Sequence, residues 1–248
     1  MIRALALVLC ISFTSDVRAD EREVRGKIRE QSWTVVVRNP SGQFQAKGSC
    51  TVFADSKGQT WALSCCHVIA SAIEDQTQSV SISKPVVEDF FRVGVTEYKA
   101  EIVKACSDDD LVLMKIQKAG IGKPMAWGSV KPLPLDTVVL HCGTFFGVYD
   151  QRISKGTIQG HNWQMRSGSV YCDAGDFIIH PGSSGGGVFT ETGELVGVCA
   201  WKHSDDCSFF VPMRTVTKFL DGTDAWESPV KKVGSLEVLA MPKEKTTK

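Results

Sequence analysis

The chain has no net charge: 28 lysines and arginines balance 28 aspartates and glutamates. A surface of balanced sign gives no electrostatic footing for nucleic acid or for an anionic membrane. Long apolar runs are also missing. The one extended apolar stretch, residues 4–13, is too short to span a bilayer, and no other segment comes closer. There is no internal repeat, which argues against a solenoid, and no heptad pattern, which argues against a coiled coil. Helical periodicity is scarce. Only Met213 to Leu220 places apolar residues (Met213, Val216, Phe219, Leu220) on a single helical face, and the charged stretch Asp20 to Glu30 merely tolerates a helix. No motif calls for a cofactor. The tightest cluster of metal-ligating types, Cys65-Cys66-His67, is spaced too closely for ordinary zinc geometry, so no metal is expected.

What remains is a chain of 248 residues, 43% hydrophobic and 23% charged, in the range of an ordinary soluble globular protein. Its first residues read as a targeting segment. Arg3 supplies a positive start, an apolar stretch follows, and Val17-Arg18-Ala19 puts small residues at the cleavage offsets, so residues 1–19 are expected to be a signal peptide. The mature protein is then secreted or periplasmic, with no membrane attachment. Nine cysteines are present, and Cys10 leaves with the signal. The remaining eight, Cys50, Cys65, Cys66, Cys106, Cys142, Cys172, Cys199 and Cys207, are an even number in an exported chain, which favours disulfides. Cys199 and Cys207 flank a polar tip between two strand-like runs and are the first expected pair. Cys50 with Cys65 or Cys66 is the next.

Strand signals dominate from Trp33 onward. They fall into two groups on either side of a Gly- and Pro-containing loop, Gly120 to Pro134, which reads as a linker. The expected fold is all-β: two antiparallel β-barrels packed side by side, about 33–120 and 135–212, with a short helix at 213–220. Residues 20–32 form an N-terminal segment, and 222–248 read as a disordered tail.

The chemistry centres on Pro181-Gly182-Ser183-Ser184-Gly185-Gly186-Gly187. Glycines let the backbone take positive φ and approach a substrate closely, and successive N–H groups on such a turn can converge on one oxygen. A serine hydroxyl is a weak nucleophile at neutral pH and needs a base, itself oriented by a third group. Of the five histidines, His67 follows a strand-like run (Trp61 to Cys66) and is preceded by small residues. His141, His161, His180 and His203 read as structural or surface residues. In Ser107-Asp108-Asp109-Asp110, Asp110 differs from its neighbours because it leads directly into the apolar run Leu111 to Ile116. A carboxylate drawn inside at that point needs a partner, and an imidazole N–H would satisfy it. Asp109 is the alternative acid if the register is off by one.

Taken together, Leu63-Ser64-Cys65-Cys66-His67-Val68, Asp110-Leu111-Val112-Leu113-Met114-Lys115-Ile116 and Pro181-Gly182-Ser183-Ser184-Gly185-Gly186 resemble the trypsin-like (chymotrypsin-fold) serine peptidases. The resemblance is closest to the bacterial high-temperature-requirement type. Gly48 to Phe53 and Gly193 to Val198 echo it, and the match runs from about Trp33 to Leu220. The resemblance implies a serine endopeptidase acting on polypeptides. Ser184 would be the nucleophile, His67 the general base and Asp110 its orienting acid, with the backbone N–H groups of Gly182 and Ser184 forming the oxyanion hole.

Departures from the family pattern refine the expectation. Ser183 stands where digestive members carry the aspartate that pairs with a newly cut N-terminus, so no activation by such a cut is expected beyond signal removal. Ile178 stands six positions before Ser184, where trypsin has the aspartate that reads basic side chains, and Asp176 lies two residues further back. With Ile178, Ala200 and Trp201 as pocket residues, small or medium apolar residues are expected before the scissile bond. Too few residues follow Leu220 for the peptide-binding module that high-temperature-requirement enzymes usually add, so assembly of that kind is not carried over and the oligomeric state stays open. The competing reading is a catalytically inactive binding or regulatory protein on the same fold. A disulfide-rich structural protein would suit the cysteines but leaves the three motifs unexplained.

Overall fold

The computed structural model describes residues 21–88, 91–146, 151–165 and 171–226. The expected signal peptide, and the part of the expected tail beyond residue 226, lie outside the described residues.

The first barrel is built from β1 (Ser32–Arg38), β2 (Phe44–Ala54), β3 (Thr60–Ser64), β4 (Ser79–Glu88), β5 (Phe91–Cys106) and β6 (Leu111–Ile116). The second is built from β7 (Val138–Thr144), β8 (Gln151–Gln164), β9 (Tyr171–Gly175), β10 (Gly187–Thr190), β11 (Leu195–Ser204) and β12 (Cys207–Pro212). Both barrels are closed, in the orders β1-β2-β3-β6-β5-β4 and β10-β11-β12-β9-β8-β7. The expected all-β architecture of two antiparallel barrels with a short C-terminal helix is what the chain adopts. That helix, α2 (Met213–Leu220), buries the four apolar residues of its single face, Met213, Val216, Phe219 and Leu220. Closure leaves neither sheet with an open edge.

β1 and β2 of the first barrel meet β7 of the second. β1 and β3 are buried along nearly their whole length, because one face fills the barrel and the other is covered. Part of that cover is a helix over residues 21–30, here α1. Val24 and Ile28 of α1 enter the core, and Ser32 Oγ closes its end by donating to the Ile28 carbonyl at 3.0 Å. The N-terminal segment is therefore part of the folded body.

The linker stitches the halves together. Ala54 of β2 donates its N–H to Lys123 O, while Leu195 of β11 donates to Ala126 O. Trp127 stands between them, edge-on to Phe53 and to Trp226 at ring-centroid distances of 5.0 and 4.8 Å. Ala225 is buried as well, so residues 225 and 226 pack against the linker.

The expected disulfides are not formed; all eight cysteines from Cys50 to Cys207 are free thiols. The strand register explains why the hairpin staple fails. Cys199 of β11 faces Phe210 of β12, whereas Cys207 faces Ser204. Three residues of strand, about 10 Å, separate Cys207 from the position opposite Cys199, beyond the roughly 7 Å that a disulfide can bridge. Cys50, Cys65 and Cys199 are instead fully buried. Burial pushes their thiols well above the ordinary range, and they pack as small apolar groups.

Candidate active site

The site lies between the barrels and is assembled from three local structures. The first is the exit of β3. Past Ser64 the chain turns into a short 3₁₀ segment, Cys66–Ile69, which carries His67. Cys65 at its start is buried and reaches across to the second barrel, its Sγ donating to Cys199 O at 3.1 Å.

The second is the turn before β6. Asp110 N–H bonds back to Ser107 O, and Asp110 itself sits at φ +50. Aspartate is one of the few residues that enters this left-handed region readily. The conformation drops its carboxylate inward, where it is almost fully buried, while Asp108 stays exposed and Asp109 only half-buried. The carboxylate accepts two hydrogen bonds from one residue: Oδ1 from the His67 backbone N–H at 2.9 Å and Oδ2 from His67 Nδ1 at 2.7 Å. The Asp110 carbonyl in turn accepts the Cys66 N–H at 3.1 Å. Asp110, not Asp109, therefore meets the histidine. A carboxylate facing Nδ1 requires the proton there, so the lone pair of the neutral ring lies on Nε2, the side open to a reacting proton.

The third is the glycine turn. Gly182 and Gly185 have φ of +96 and +89, values that side-chain-bearing residues rarely adopt. At Gly185 a Cβ would also lie 2.1 Å from Ser49 O and from Ser64 Oγ. Ser183 is buried and closes the turn in both directions, its N–H donating to His180 O and its Oγ accepting the His180 N–H. The Pro181 carbonyl accepts the Phe146 N–H at 2.6 Å. In a trans peptide the N–H points opposite to the C=O, so the Gly182 N–H faces away from Phe146. Among the described residues neither the Gly182 N–H nor the Ser184 N–H has an acceptor. The turn thus presents two unclaimed donors.

The Ser184 hydroxyl is the one group placed otherwise than expected. It donates to the Ala200 carbonyl at 2.9 Å, and no hydrogen bond joins it to His67 among the described residues. Ala200 can receive it because β11 is bulged there: Cys199 pairs with Phe210 and Trp201 with Phe209, leaving Ala200 without a partner in β12. Bulges of this kind re-aim backbone groups beside active sites.

Residues 48–198, more than half of the sequence, match the family described as "Trypsin-like peptidase domain". The chain belongs to this trypsin-like peptidase family. It is also similar to a "Probable periplasmic serine endoprotease DegP-like" of Ectopseudomonas mendocina (strain ymp), at 27% identity over 173 residues. That alignment covers 68% of this chain and 33% of the relative, so the chain spans about a third of the relative's length. Two solved structures share the fold. One is titled "Crystal structure of Deg5", with TM-score 0.65, 20% identity and coverage of 81% of this chain and 92% of that one. The other is an HtrA-type protease, AlgW, solved with a tripeptide, with TM-score 0.63, 19% identity and coverage of 80% and 61%.

Within this trypsin-like frame the remaining expected residues take definite places. Trp201 stacks on His67, ring centroids 5.8 Å apart and planes 27° from parallel, so it covers the imidazole. Ile178 is half exposed between the buried Phe177 and Ile179. Asp176 is committed elsewhere, accepting hydrogen bonds from the Thr157 N–H and Oγ1 and from Gln159 Nε2. Cys65 Sγ, a His67 ring nitrogen and an Asp110 oxygen lie within 4.8 Å of one another. The ring and the carboxylate already bond each other, however, and burial keeps the Cys65 thiol protonated.

Of the other histidines, His141 is buried beneath the glycine turn, His180 packs on Phe145 and Phe146, and His161 lies 2.9 Å from Asp173. Sequence reasoning missed two residues that touch the glycine turn through their side chains, Ser49 and Thr144. The Gly48-Ser49 echo was the only hint of the first, and nothing local marks the second.

Proposed function

We propose that this trypsin-like peptidase is an exported serine endopeptidase that cleaves polypeptides through an acyl-enzyme on Ser184. The observation that carries the reading is the His67–Asp110 pair, bonded through both Nδ1 and the backbone N–H, set beside a serine on a glycine turn with two free N–H donors. In this reading a substrate carbonyl enters the turn. Ser184 Oγ leaves Ala200, gives its proton to His67 Nε2 and attacks. The developing oxyanion accepts from the Gly182 and Ser184 N–H groups, a contribution of about 10²–10³ in rate per donor. The imidazolium, stabilised by Asp110, then protonates the leaving amine, and water repeats the cycle on the ester.

Selection of small or medium apolar residues before the scissile bond rests on three features. No acid stands at position 178, Asp176 is consumed by β8, and Trp201 crowds the approach. Absence of a second activating cut rests on Ser183, whose hydroxyl serves the turn and cannot pair with an amino terminus. The packing of Val24 and Ile28 also makes α1 a poor site for such a cut. Export rests on the N-terminal sequence, and the named relative is described as a probable periplasmic serine endoprotease.

Hydrolysis of unfolded casein by the signal-cleaved protein tests the reading. Turnover lost in Ser184→Ala and His67→Ala, with a preference for small or medium apolar residues before the cut, is expected; a strict preference for Lys or Arg would contradict the pocket reading. Folded protein with no Ser184-dependent turnover would instead make it a binding module on a peptidase fold.

A further inference from the structure

The carbonyl of Gly182 accepts two side-chain hydrogen bonds. Ser49 Oγ donates to it at 2.7 Å and Thr144 Oγ1 at 2.9 Å. The two hydroxyls come from different barrels, Ser49 from β2 and Thr144 from β7, and both residues are fully buried. The Thr144 N–H donates to Ser49 Oγ at 2.7 Å, and the hydroxyl oxygens are 3.1 Å apart. The proton count closes. Each hydroxyl has one proton, both go to the Gly182 oxygen, and that oxygen has two lone pairs to receive them. Ser49 reaches the turn a second time, its N–H donating to Ser184 O at 2.8 Å, while its own carbonyl accepts Ser64 Oγ at 2.7 Å. One residue of the first barrel thus grips the turn on both sides of Ser183.

Gly182 lies between two peptide planes. The preceding plane, which carries the Gly182 N–H, is held by Phe146 N–H on Pro181 O. The following plane is held at its N–H by Ser183 donating to His180 O and at its carbonyl by Ser49 and Thr144. Fixing both planes fixes φ and ψ of Gly182. Without the hydroxyls the second plane keeps one hydrogen bond of three, and the glycine between the planes offers little steric resistance to a shift of the first.

We propose that Ser49 and Thr144 are positioning residues for the oxyanion donors, a clamp across the two barrels that keeps the Gly182 N–H aimed at the developing negative charge. The inference rests on the reading of Ser184 as nucleophile and of the Gly182 and Ser184 amides as its oxyanion hole. The clamp touches no substrate, so its effect falls on transition-state stabilisation and not on ground-state binding.

The test uses an internally quenched peptide copied from the main casein cleavage site of the wild-type protein. Thr144→Val, which keeps the shape and removes the hydroxyl, is expected to lower kcat by about 10- to 100-fold with KM within about threefold. Ser49→Ala should do the same. The double variant should fall short of the product of the single effects, because both hydroxyls act on one oxygen. Thr144→Ser, which restores the donor, should return kcat to within about threefold of wild type. Thermal unfolding of each variant is followed in parallel. If Ser49→Ala does not fold, the Thr144 series decides alone.

Unchanged kcat in Thr144→Val, a change confined to KM, or Thr144→Ser as slow as Thr144→Val would overturn the clamp. Labelling by a fluorophosphonate separates this failure from failure of the underlying reading. Ser184-dependent labelling of wild type with undiminished kcat in the variants removes the clamp alone. No Ser184-dependent labelling of wild type removes the nucleophile, and the clamp with it.

Discussion

The hydroxyl of Ser184 is hydrogen-bonded to the carbonyl of Ala200, 2.9 Å away, while the His67 ring is hydrogen-bonded, among the described residues, to Asp110. Base and acid are joined in the free protein, and the nucleophile is parked on the bulge of β11. An extended substrate laid beside β11 would offer a backbone N–H to that same carbonyl, as strand addition does elsewhere. Substrate binding would then release the serine hydroxyl toward His67. A peptide N-methylated at the residue before the scissile bond loses that donor. It is expected to have kcat/KM lower by about tenfold or more, on the order of one hydrogen bond. Steady-state comparison of the methylated and unmethylated peptides checks this, and equal rates would rule out the displacement.

Asp110→Asn should leave the fold intact and lower kcat by about 10⁴, because an amide at that position does not hold the Nδ1–H tautomer of His67. Circular dichroism establishes the fold and single-turnover kinetics the rate. A loss smaller than tenfold would remove Asp110 from the mechanism. Asp109→Asn, by contrast, should be close to neutral.

Much of this site was legible in the sequence, for identifiable reasons. His67, Asp110 and Ser184 stand in local settings that strand ends and glycine turns impose, and the three motifs together carry the resemblance that singles them out; the structure joins the His67 and Asp110 side chains. The Asp110 carboxylate turns inward because a left-handed aspartate precedes a buried strand; the sequence shows the apolar run but not the left-handed backbone. The clamp was not legible, because Ser49 and Thr144 meet only after two barrels close, and a serine and a threonine in strands carry no signal of their own. The Cys199–Cys207 staple was misread for a related reason. Sequence shows two cysteines around a polar tip, but the tight turn that sets Cys207 opposite Ser204 leaves Cys199 further down the strand, opposite Phe210. The Ser184 rotamer depends on the bulge at Ala200.

Trp201 lies at cation–π range from His67 and should stabilise the imidazolium that forms during acylation by about 1 kcal/mol. Trp201→Leu is expected to slow acylation about fivefold and to admit bulkier residues before the cut. Pre-steady-state acylation and a peptide-library profile measure the two effects separately.

Acid should weaken the fold in two steps. His141 is fully buried, donates Nδ1–H to Gly187 O at 3.2 Å, and has its pKa lowered to about 4 by burial. Unfolded, it titrates near 6.5, so between about pH 4 and 6.5 the unfolded chain binds more protons and stability rises with pH. The contribution is complete above pH 6.5 and lost as pH falls toward 4, on the order of 3 kcal/mol. Denaturant melts across this window should show the slope, and His141→Gln should flatten it.

The second step belongs to Asp173. Burial pushes its carboxyl up, but hydrogen bonds from Arg214 and His161, the Arg214 charge and the Asn162 N–H together hold it below the ordinary carboxylate range. Its stabilisation is therefore present above pH 3.8 and lost as pH falls below that value. Asp173→Asn removes the counter-charge of the half-buried Arg214, which keeps its hydrogen bond to Asn162 Oδ1, and is expected to cost about 1.5–3 kcal/mol at neutral pH. A cost in denaturant unfolding near zero would show that the pair does not hold α2 to the second barrel.

The most direct test of the central claim is intact-mass spectrometry of the folded, signal-cleaved protein after treatment with a fluorophosphonate, followed by peptide mapping. The account predicts a single adduct on Ser184, formed in wild type, slowed in Asp110→Asn and absent in Ser184→Ala. An unmodified wild-type protein, or an adduct that persists in Ser184→Ala, would contradict it.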